Sequence, residues 1–432
     1  MYQVDGSGPA LKARGLRLAT YLFASGVSRT VVMLGLTSLF TDISAEMVST
    51  ILPLYVLFYL NLTPAIFGVV DGLYQGAAAL VRIFGGAAAD RRGHHKQVAL
   101  VGYALSAIAR IGLLLVGNVW TLLAGVVMVD RLGKGIRTAP RDALISLSSR
   151  PADLGAAFGV HRALDTAGAM IGPLVAFGLL ALAPGSYDAV FVVSLCAALI
   201  GIGVLTLFVQ NQPIAFAAPE QRPLWRGVAA RVVRVPGLGR LLLAGTMLSL
   251  VTISDGFVYL TLRHRVPFDP KFFPLLYVAT ATIFMLLAVP VGRLADRLGR
   301  ARVFLGGHVL LLVVYASLLV PAGPANALRV IVAVALLGAY YAATDGVLMA
   351  LAGAALPQEV RASGMALVTT GTSLARLASS LVFGALWTWR SVDVAVTLSM
   401  VGLVAALPLA AFCLRARKEE GSDVARTTPT TP

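Results

Sequence analysis

The sequence predicts an all-α polytopic membrane protein, with twelve transmembrane helices arranged as two pseudo-symmetric six-helix bundles. Three observations predict this fold class. First, 58% of the 432 residues are hydrophobic and only 13% are charged, whereas about a quarter of the residues in soluble domains are charged. Second, apolar segments long enough to cross about 30 Å of hydrocarbon as helices recur along the whole chain. Third, two short motifs recur at nearly the same spacing, as expected for a duplicated bundle.

Twelve apolar segments are predicted to cross the membrane, and a hydrophilic break divides them into six and six. They lie at residues 31–59, 65–89, 98–117, 119–140, 155–183, 188–209, 240–262, 272–292, 302–321, 327–352, 361–387 and 392–414. The break at residues 210–239 is rich in Pro, Gln and Arg, and we interpret it as a linker between an N-terminal bundle (31–209) and a C-terminal bundle (240–414). Residues 1–30 form an N-terminal segment, and the polar tail at 415–432 is expected to be disordered.

The net charge of +15 is distributed in a way that predicts topology rather than binding to nucleic acid. Cations cluster in the connections after segments 2 and 8, in the linker, and after segment 12, whereas the connections after segments 1 and 3 hold none. The connection after segment 7 is an exception. By the positive-inside rule, we expect a multi-pass protein of the cytoplasmic membrane with both termini in the cytoplasm. The cations would then contact membrane lipids.

A charged motif after segment 8 has a counterpart after segment 2. Gly292-Arg-Leu-Ala-Asp-Arg-Leu-Gly-Arg300 is echoed by Gly86-Ala-Ala-Ala-Asp-Arg-Arg-Gly-His-His-Lys96, and Asp90 and Asp296 are 206 residues apart. A second echo, Gly155–Gly159 with Ala362–Ala366, has a spacing of 207.

A carboxylate at a helix end can accept hydrogen bonds from an arginine or from the start of a neighbouring helix. We therefore predict a cytoplasmic gate, meaning contacts that hold that end shut in one state, formed by Gly86, Asp90, Arg91, Gly93, Gly292, Asp296, Arg297, Gly299 and Arg300. The alternative for Gly93 and Gly299 is turn formation alone.

These features resemble the major facilitator superfamily over about residues 30–415. The family's loop motif, G-x-L-A-D-R-x-G-R-K, is matched almost fully by Gly292–Arg300 and partly by Gly86–Lys96. Arg131-Leu-Gly-Lys-Gly135 resembles its fourth-helix motif, and the wider run from Asp130 to Leu144, with its Asp-Arg-x-Gly-Lys-Gly-x-Arg-x-x-Pro-Arg-Asp pattern, is similar to a bacterial branch. Gly168-Ala-Met-Ile-Gly-Pro173 resembles a fifth-helix motif associated with antiporters. The resemblance implies transport of a small molecule by alternating access.

Segment 1 carries a polar stripe that favours a proton-carrying role. Ser38, Asp42, Glu46 and Ser49 share one helical face, because they are spaced at i, i+4, i+8 and i+11. A charge inside the membrane costs at least about 2.5–3.5 kcal/mol. Two carboxylates one turn apart also repel each other, so at least one is expected to bind a proton readily. The alternative is a structural pair neutralised by an arginine of segment 4.

Segment 4 supplies counter-charges, and segment 5 begins with a second candidate pair. Asp130, Lys134, Arg137 and Arg141 share a face of segment 4, although the arginines could instead extend to the membrane interface. In segment 5, Asp165 lies one turn after His161 and could orient its imidazole for proton transfer. A packed histidine is the alternative. The proton-coupling candidates are therefore Asp42, Glu46, His161 and Asp165.

In the superfamily, helices 1, 4, 7 and 10 line the central path. The resemblance therefore implies a cavity lined by the candidates Ser38, Asp130, Arg131, Lys134, Arg137, Asp255, Tyr341 and Asp345. No cofactor and no metal ion is expected, and protons are the expected coupling partner.

Transport is weighed against three alternatives. Proton-coupled efflux is favoured by the antiporter-like motif in segment 5, whereas the basic face of segment 4 favours uptake of an anionic metabolite. An intramembrane enzyme would pair a serine such as Ser373 with a histidine at the same depth. The candidate histidine, His308, lies at the start of a different segment, close to the cytoplasmic end of that segment. A receptor or scaffold without flux is the third alternative. The sequence does not predict an oligomeric state.

Overall fold

The computed structural model describes residues 27–92, 94–150, 153–210, 237–321, 323, 326–356 and 361–426. Within these residues the fold is helical, without a β-strand. The helices are α1 (Arg29–Leu54), α2 (Pro64–Arg92), α3 (His95–Leu115), α4 (Trp120–Leu147), α5 (Leu154–Leu182), α6 (Tyr187–Phe208), α7a (Leu238–Leu250), α7b (Asp255–Arg265), α8 (Phe273–Leu298), α9 (Arg300–Leu319), α10 (Asn326–Ala355), α11 (Arg361–Trp389) and α12 (Val392–Arg426).

The predicted twelve-segment fold class is confirmed. Ten of the described helical segments are long and apolar enough to cross a membrane. The other two, α2 and α4, have 29 and 28 residues and so also have the required length; α4 carries six ionisable residues. An apolar surface faces outwards on many helices, including fully or half-exposed leucines such as Leu182 and Leu286. Such a surface is stable in lipid and not in water.

The helix contacts repeat between two halves, α1–α6 and α7a–α12. In the first half α1 packs on α5 and α6, α4 on α2 and α3, and α3 on α6. In the second half α7a packs on α11 and α12, α10 on α8 and α9, and α9 on α12. Each contact in the first half therefore has a counterpart six helices later, as a duplicated bundle requires.

Segment 7 differs from the prediction of one continuous helix. It consists of α7a and α7b, separated by residues 251–254. Val251, Thr252 and Ile253 are β-branched, which disfavours helix at this point. Hydrogen bonds from other helices satisfy the freed backbone, because Ile253 N donates to Tyr315 Oη at 2.7 Å and Ser379 Oγ donates to the Thr252 carbonyl at 2.7 Å. Irregular backbone at membrane depth requires such partners.

The last helix is longer than the predicted membrane segment. α12 continues to Arg426, whereas the sequence predicted a span ending at residue 414 and a disordered tail after it. The run Arg-Ala-Arg-Lys-Glu-Glu at 415–420 consists of good helix formers, which explains the extension. Most of the predicted linker, residues 211–236, and most of the N-terminal segment lie outside the described residues.

The described contacts between the halves lie mainly toward one end of the bundle. We call the end where α1 stops and α2 starts the Thr63 end, and the opposite end, where α5 starts, the Leu154 end. Near the Thr63 end, Ala65 N donates to Thr388 Oγ1 at 2.8 Å, and the rings of Phe67 and Phe257 lie 4.8 Å apart. Helix pairs α2–α11, α5–α8, α1–α7b and α1–α8 form this interface. The Thr63 end is therefore closed in this conformation.

Candidate functional site

A cavity of about 160 Å³ lies between the two halves. Its polar lining comes from both halves, with Glu46 and Ser49 from α1, Asp71, Tyr74 and Gln75 from α2, and Asp255 from α7b. Ser49 Oγ donates to Glu46 Oε2 at 2.7 Å. Two of the residues predicted from the sequence, Glu46 and Asp255, thus face a shared cavity although they are more than 200 residues apart in the chain.

Asp42 and Asp165 form a carboxyl pair between α1 and α5. Their side chains lie within hydrogen-bonding reach of each other. An ionised carboxylate only accepts hydrogen bonds, so a bond between the two groups requires a proton on one of them. The sequence predicted both residues as candidates but did not predict that they meet.

His161 lies next to this pair but has a different partner from the predicted one. Its Nε2 shares a hydrogen bond of 2.9 Å with Ser38 Oγ, and the side chain is 3% exposed. Asp165 instead lies 3.8 Å from an Arg141 guanidinium nitrogen and 3.3 Å from an Arg162 one. Arg141 also donates to Ser38 Oγ at 3.4 Å. The cluster therefore joins α1, α4 and α5 through Ser38, Asp42, Arg141, His161 and Asp165.

Lys134 supplies a positive charge to the α1 carboxyl groups. It lies on α4, half-buried, and interacts electrostatically with both Asp42 and Glu46. Among the described residues, no hydrogen-bond acceptor is assigned to its ammonium group. A lysine without a hydrogen-bonded ion pair can move when the charge of its neighbours changes. A side chain that forms two hydrogen bonds to a counter-ion is held in place.

Asp130 and Arg131 are buried in the seam between α3 and α4 instead of facing the cavity. Asp130 is 4% exposed, and its carboxylate accepts from Arg110 at 3.1 Å and from Arg131 Nε at 2.9 Å. Arg110 also donates to Ser44 Oγ of α1 at 3.2 Å. The Arg131 guanidinium stacks over the Tyr74 ring, 3.7 Å from its centroid. This arrangement ties α1, α2, α3 and α4 together.

Arg137 is engaged in the same seam. It donates to Ser106 Oγ at 2.8 Å, and its guanidinium lies 4.7 Å from the centroid of the Tyr103 ring. With 3% of its surface exposed, it does not extend to the membrane interface. Its contacts stabilise the packing of α3 against α4.

The second half holds two smaller pairs. Tyr341 Oη of α10 donates to Asp255 Oδ1 of α7b at 2.5 Å. Asp345 of α10 lies 3.7 Å from Arg376 of α11. The sequence predicted Asp255, Tyr341 and Asp345 as members of one path, and the structure joins the first two directly.

The second copy of the loop motif forms a local hydrogen-bonded turn. Arg300 donates to Asp296 at 3.0 Å and also to the Ala350 carbonyl of α10 at 3.2 Å. Gly299 has φ +101°, which favours glycine at this turn. Gly292 and Arg297 lie in the last two turns of α8, and a Cβ built on Gly292 would meet no atom within 4 Å. In the first copy, Gly86, Asp90 and Arg91 lie in the last turns of α2, but their side chains and all of Gly93 lie outside the described residues.

For three ionisable residues of this network, no partner could be predicted from the sequence. Arg110 pairs with Asp130, Arg376 pairs with Asp345, and Asp71 accepts from Ser380 of α11 at 2.6 Å. Each was visible as an isolated ionisable residue in an apolar segment, which is the signal for a partner elsewhere. The partner itself depends on which helices are neighbours.

Comparisons with known proteins agree with this architecture. The sequence profile of the Major Facilitator Superfamily matches residues 34–380 and 268–431. The chain is 30% identical over 84% of its length to the uncharacterized MFS-type transporter MJ1317 of Methanocaldococcus jannaschii, of which it covers 89%. It is 27% identical over 53% of its length to the multidrug resistance protein MdtH of Photorhabdus laumondii, of which it covers 55%.

Solved structures with the same fold have low sequence identity to the chain. The nucleoside transporter NupG superposes with a TM-score of 0.71 at 15% identity, covering 90% of this chain and 99% of that one. An auto-inhibited POT family peptide transporter superposes with a TM-score of 0.71 at 14% identity, covering 94% and 98%. At such identities the likeness concerns the fold alone.

Proposed function

We propose, from the premise that the chain belongs to the major facilitator superfamily, that it is a secondary active transporter which exports its substrate in exchange for protons. Membership of that family makes it a multi-pass membrane transporter of a small molecule rather than an enzyme. The proposed parts are the proton coupling, the direction, the location in the cytoplasmic membrane and the roles of individual residues.

The carboxyl pair of Asp42 and Asp165 carries the proposal of proton coupling. Two carboxyl groups in contact cannot both ionise at low cost, so the pair retains one proton until a nearby charge or water changes the balance. Lys134 is placed to make that change, because it interacts with Asp42 and Glu46. Rocking of the halves during alternating access would change the access of water to these groups, and so release or take up the proton.

Two features support export as the direction. The chain is similar over about half its length to MdtH, a multidrug resistance protein, and its α5 segment Gly168–Pro173 resembles an antiporter motif. Uptake of an anionic metabolite has less support. That alternative required the cations on the basic face of α4 to be available to bind an anion. Arg137 of that face is engaged with Ser106 and the Tyr103 ring, and Arg141 with Ser38, Asp142 and Asp165.

The loop motifs are proposed as the gate at the Leu154 end. Arg300 connects Asp296 to the Ala350 carbonyl of α10 in this conformation. Exposed arginine contacts of this kind contribute little free energy, so replacing one set by another lets the gate change between its open and closed conformations. Under this proposal, the present structure has the Leu154 end accessible and the Thr63 end closed.

Transport in proteoliposomes with an imposed pH gradient tests the proposal. Ethidium and a panel of small anionic metabolites serve as probes, in vesicles with either an acidic or an alkaline lumen. An antiporter accumulates its probe in the acidic lumen, and a proton symporter does so in the alkaline one. We expect accumulation in the acidic lumen, and we expect Asp42→Asn to reduce the gradient-driven rate at least about tenfold, as loss of a proton-transfer group does.

The control is Asp153→Asn, which removes a carboxylate at the surface of the Leu154 end and should transport at the wild-type rate. Downhill exchange of the probe without a gradient should survive in Asp42→Asn, because binding does not need the proton. A wild-type protein whose transport ignores the pH gradient would refute proton coupling, and accumulation only in the alkaline lumen would reverse the direction.

A further inference from the structure

Asp71 is a buried carboxyl group on the interface between the halves. It lies two turns into α2 and is 8% exposed. Ser380 Oγ of α11, in the second half, donates a hydrogen bond to the Asp71 carboxylate at 2.6 Å. Close packing surrounds this bond, since a Cβ built on Gly72 would lie 3.0 Å from the Leu377 carbonyl oxygen of α11. Asp71 therefore joins two helices that must separate if the Thr63 end opens.

The groups around Asp71 offer no positive charge to balance it. The titratable side chains that face the same cavity are Glu46 from α1, Tyr74 from α2, Asp255 from α7b and Tyr277 from α8, and α11 contributes the neutral Ser380. The described residues lining this cavity include no lysine, arginine or histidine. By contrast, Asp130, Asp165 and Asp345 each contact an arginine.

The absence of a counter-charge links the ionisation of Asp71 to the conformation. An ionised carboxylate without a cationic partner is strongly disfavoured at a tightly packed interface within the membrane. A neutral carboxyl group can still accept the bond from Ser380. When α2 and α11 separate, water reaches the group and the charged form becomes acceptable. Protonation therefore favours the closed Thr63 end, and loss of the proton favours the open one.

We propose that Asp71 is a second proton-binding group of this transporter, and that its protonation permits the Thr63 end to close. This inference rests on the proposed proton-coupled exchange and adds to it a site outside the Asp42–Asp165 pair. A proton taken up at Asp71 from the Thr63 side would precede closure, so closure would occur only with the proton bound. This requirement couples the movement of the halves to the proton.

The distance between the two halves at the Thr63 end, measured in the full-length protein, tests the proposal. Spin labels are placed on cysteines replacing Thr63 and Arg390, two exposed residues at that end, in a background where Cys196 and Cys413 are replaced by alanine. Pulsed dipolar spectroscopy in lipid nanodiscs then gives the distance at about pH 5 and about pH 9, a window that covers the range in which carboxyl groups buried without a cationic partner are known to titrate. No substrate is needed.

We expect the wild-type protein to show a longer-distance population that grows with pH, by at most about tenfold per pH unit, the limit for a single proton. Asp71→Asn, which imitates the neutral carboxyl group, should keep the short distance at both pH values. Ser380→Ala is the matched control: it removes one hydrogen-bond donor but keeps the titrating group, so its distances should still respond to pH, with a larger open population. Asp42→Asn should also still respond.

The inference is overturned if Asp71→Asn opens with pH as the wild type does, or if the wild-type distance does not change with pH. Gradient-driven transport by the same wild-type preparation separates this failure from that of the proposed function. If the pH gradient drives transport while Asp71→Asn still opens with pH, only the role of Asp71 is lost. If the gradient drives no transport, the proton-coupled function fails, whatever the distances show.

Discussion

At the scale of single residues, the ionisable groups within the membrane fall into two kinds. Asp130 is held by two arginines in a closed seam, and such a group stabilises the packing and has little freedom to titrate. Asp42, Asp71 and Asp255 lack a salt bridge among the described residues and contact carboxyl, hydroxyl or phenol groups instead. The kind of partner, more than burial itself, separates structural charges such as Asp130 from candidates for proton transfer, and Asp165 has partners of both kinds, because it contacts Asp42 as well as two arginines.

The contacts of Asp130 predict a stability effect. Asp130→Asn should lower the free energy of unfolding by about 3–5 kcal/mol, because it leaves Arg110 and Arg131 buried without their counter-ion. Thermal unfolding of the purified protein in detergent measures this loss. The control is Asp296→Asn, whose exposed pair with Arg300 should contribute no more than about 1 kcal/mol. An Asp130→Asn protein with normal stability and weakened substrate binding would instead place Asp130 in the substrate site.

At the scale of helices, glycines set how closely neighbouring helices approach. Gly168 and Gly172 of α5 face the backbone of α1 at Leu39 and Ile43. Similarly, Gly102 of α3 and Gly133 of α4 pack against each other, with Cβ positions that would lie 2.6 Å and 2.5 Å from the opposite carbonyl oxygens. Close packing of this kind drives association of helices in lipid, where the hydrophobic effect between them is absent. It also brings Asp42 near Asp165.

A substitution in α5 tests this role of glycine. In Gly168→Ala the added methyl group would collide with the Leu39 carbonyl oxygen, and we expect destabilisation of about 1–3 kcal/mol, as for an overpacked core. Gly178→Ala in the same helix is the control, because a Cβ there meets no atom within 4 Å. Helix propensity should make that variant equal to the wild type or more stable, by up to about 1 kcal/mol. Equal melting temperatures for both variants would contradict the assignment.

At the scale of the whole molecule, two similar halves meet at the Thr63 end. Aromatic rings of Phe67 from the first half and Phe257 and Phe383 from the second form a packed cluster there, with centroid separations of 4.8 Å. Arg263 of α7b also stacks on the Phe58 ring, in the π-helical turn Tyr55–Tyr59 that follows α1, 4.6 Å from its centroid. The cavity lined by Glu46, Asp71 and Asp255 lies at this same interface. Rocking of the halves would change its access without remodelling either half.

Cross-linking across the interface tests whether the Thr63 end must open during transport. A short bismaleimide should link cysteines replacing Ala65 and Thr388, since Ala65 N and Thr388 Oγ1 are 2.8 Å apart. We expect the linked protein to lose at least about nine-tenths of its transport, because a closed end cannot exchange with the solvent on that side. Each single-cysteine variant, treated with the same reagent, should keep its activity. Full transport by the linked protein would rule out opening at this end.

Much of the fold was predictable because lipid restricts the possible structures. Apolar segments of sufficient length must be helices there, and the spacing of the two charged motifs predicted the duplication. The break in segment 7 and the extension of α12 were not predicted. The break depends on hydrogen bonds that residues 251–254 make with Tyr315 and Ser379 of other helices, whereas the extension follows from the helix formers at residues 415–420. A hydropathy pattern does not show which residues of other helices will form hydrogen bonds with the backbone of a broken helix.

The sequence by itself determined a twelve-segment helical membrane protein with a duplicated plan, and it identified which ionisable residues have to be accommodated in lipid. Only the tertiary structure decided how they are accommodated: Asp130 with Arg110, Asp42 with Asp165, and Asp71 with Ser380 across the halves. The physical reason is a difference in range. Hydrophobicity and helical periodicity act within one segment, whereas the partner of a buried charge is set by which helices are neighbours and by the depth at which their side chains meet.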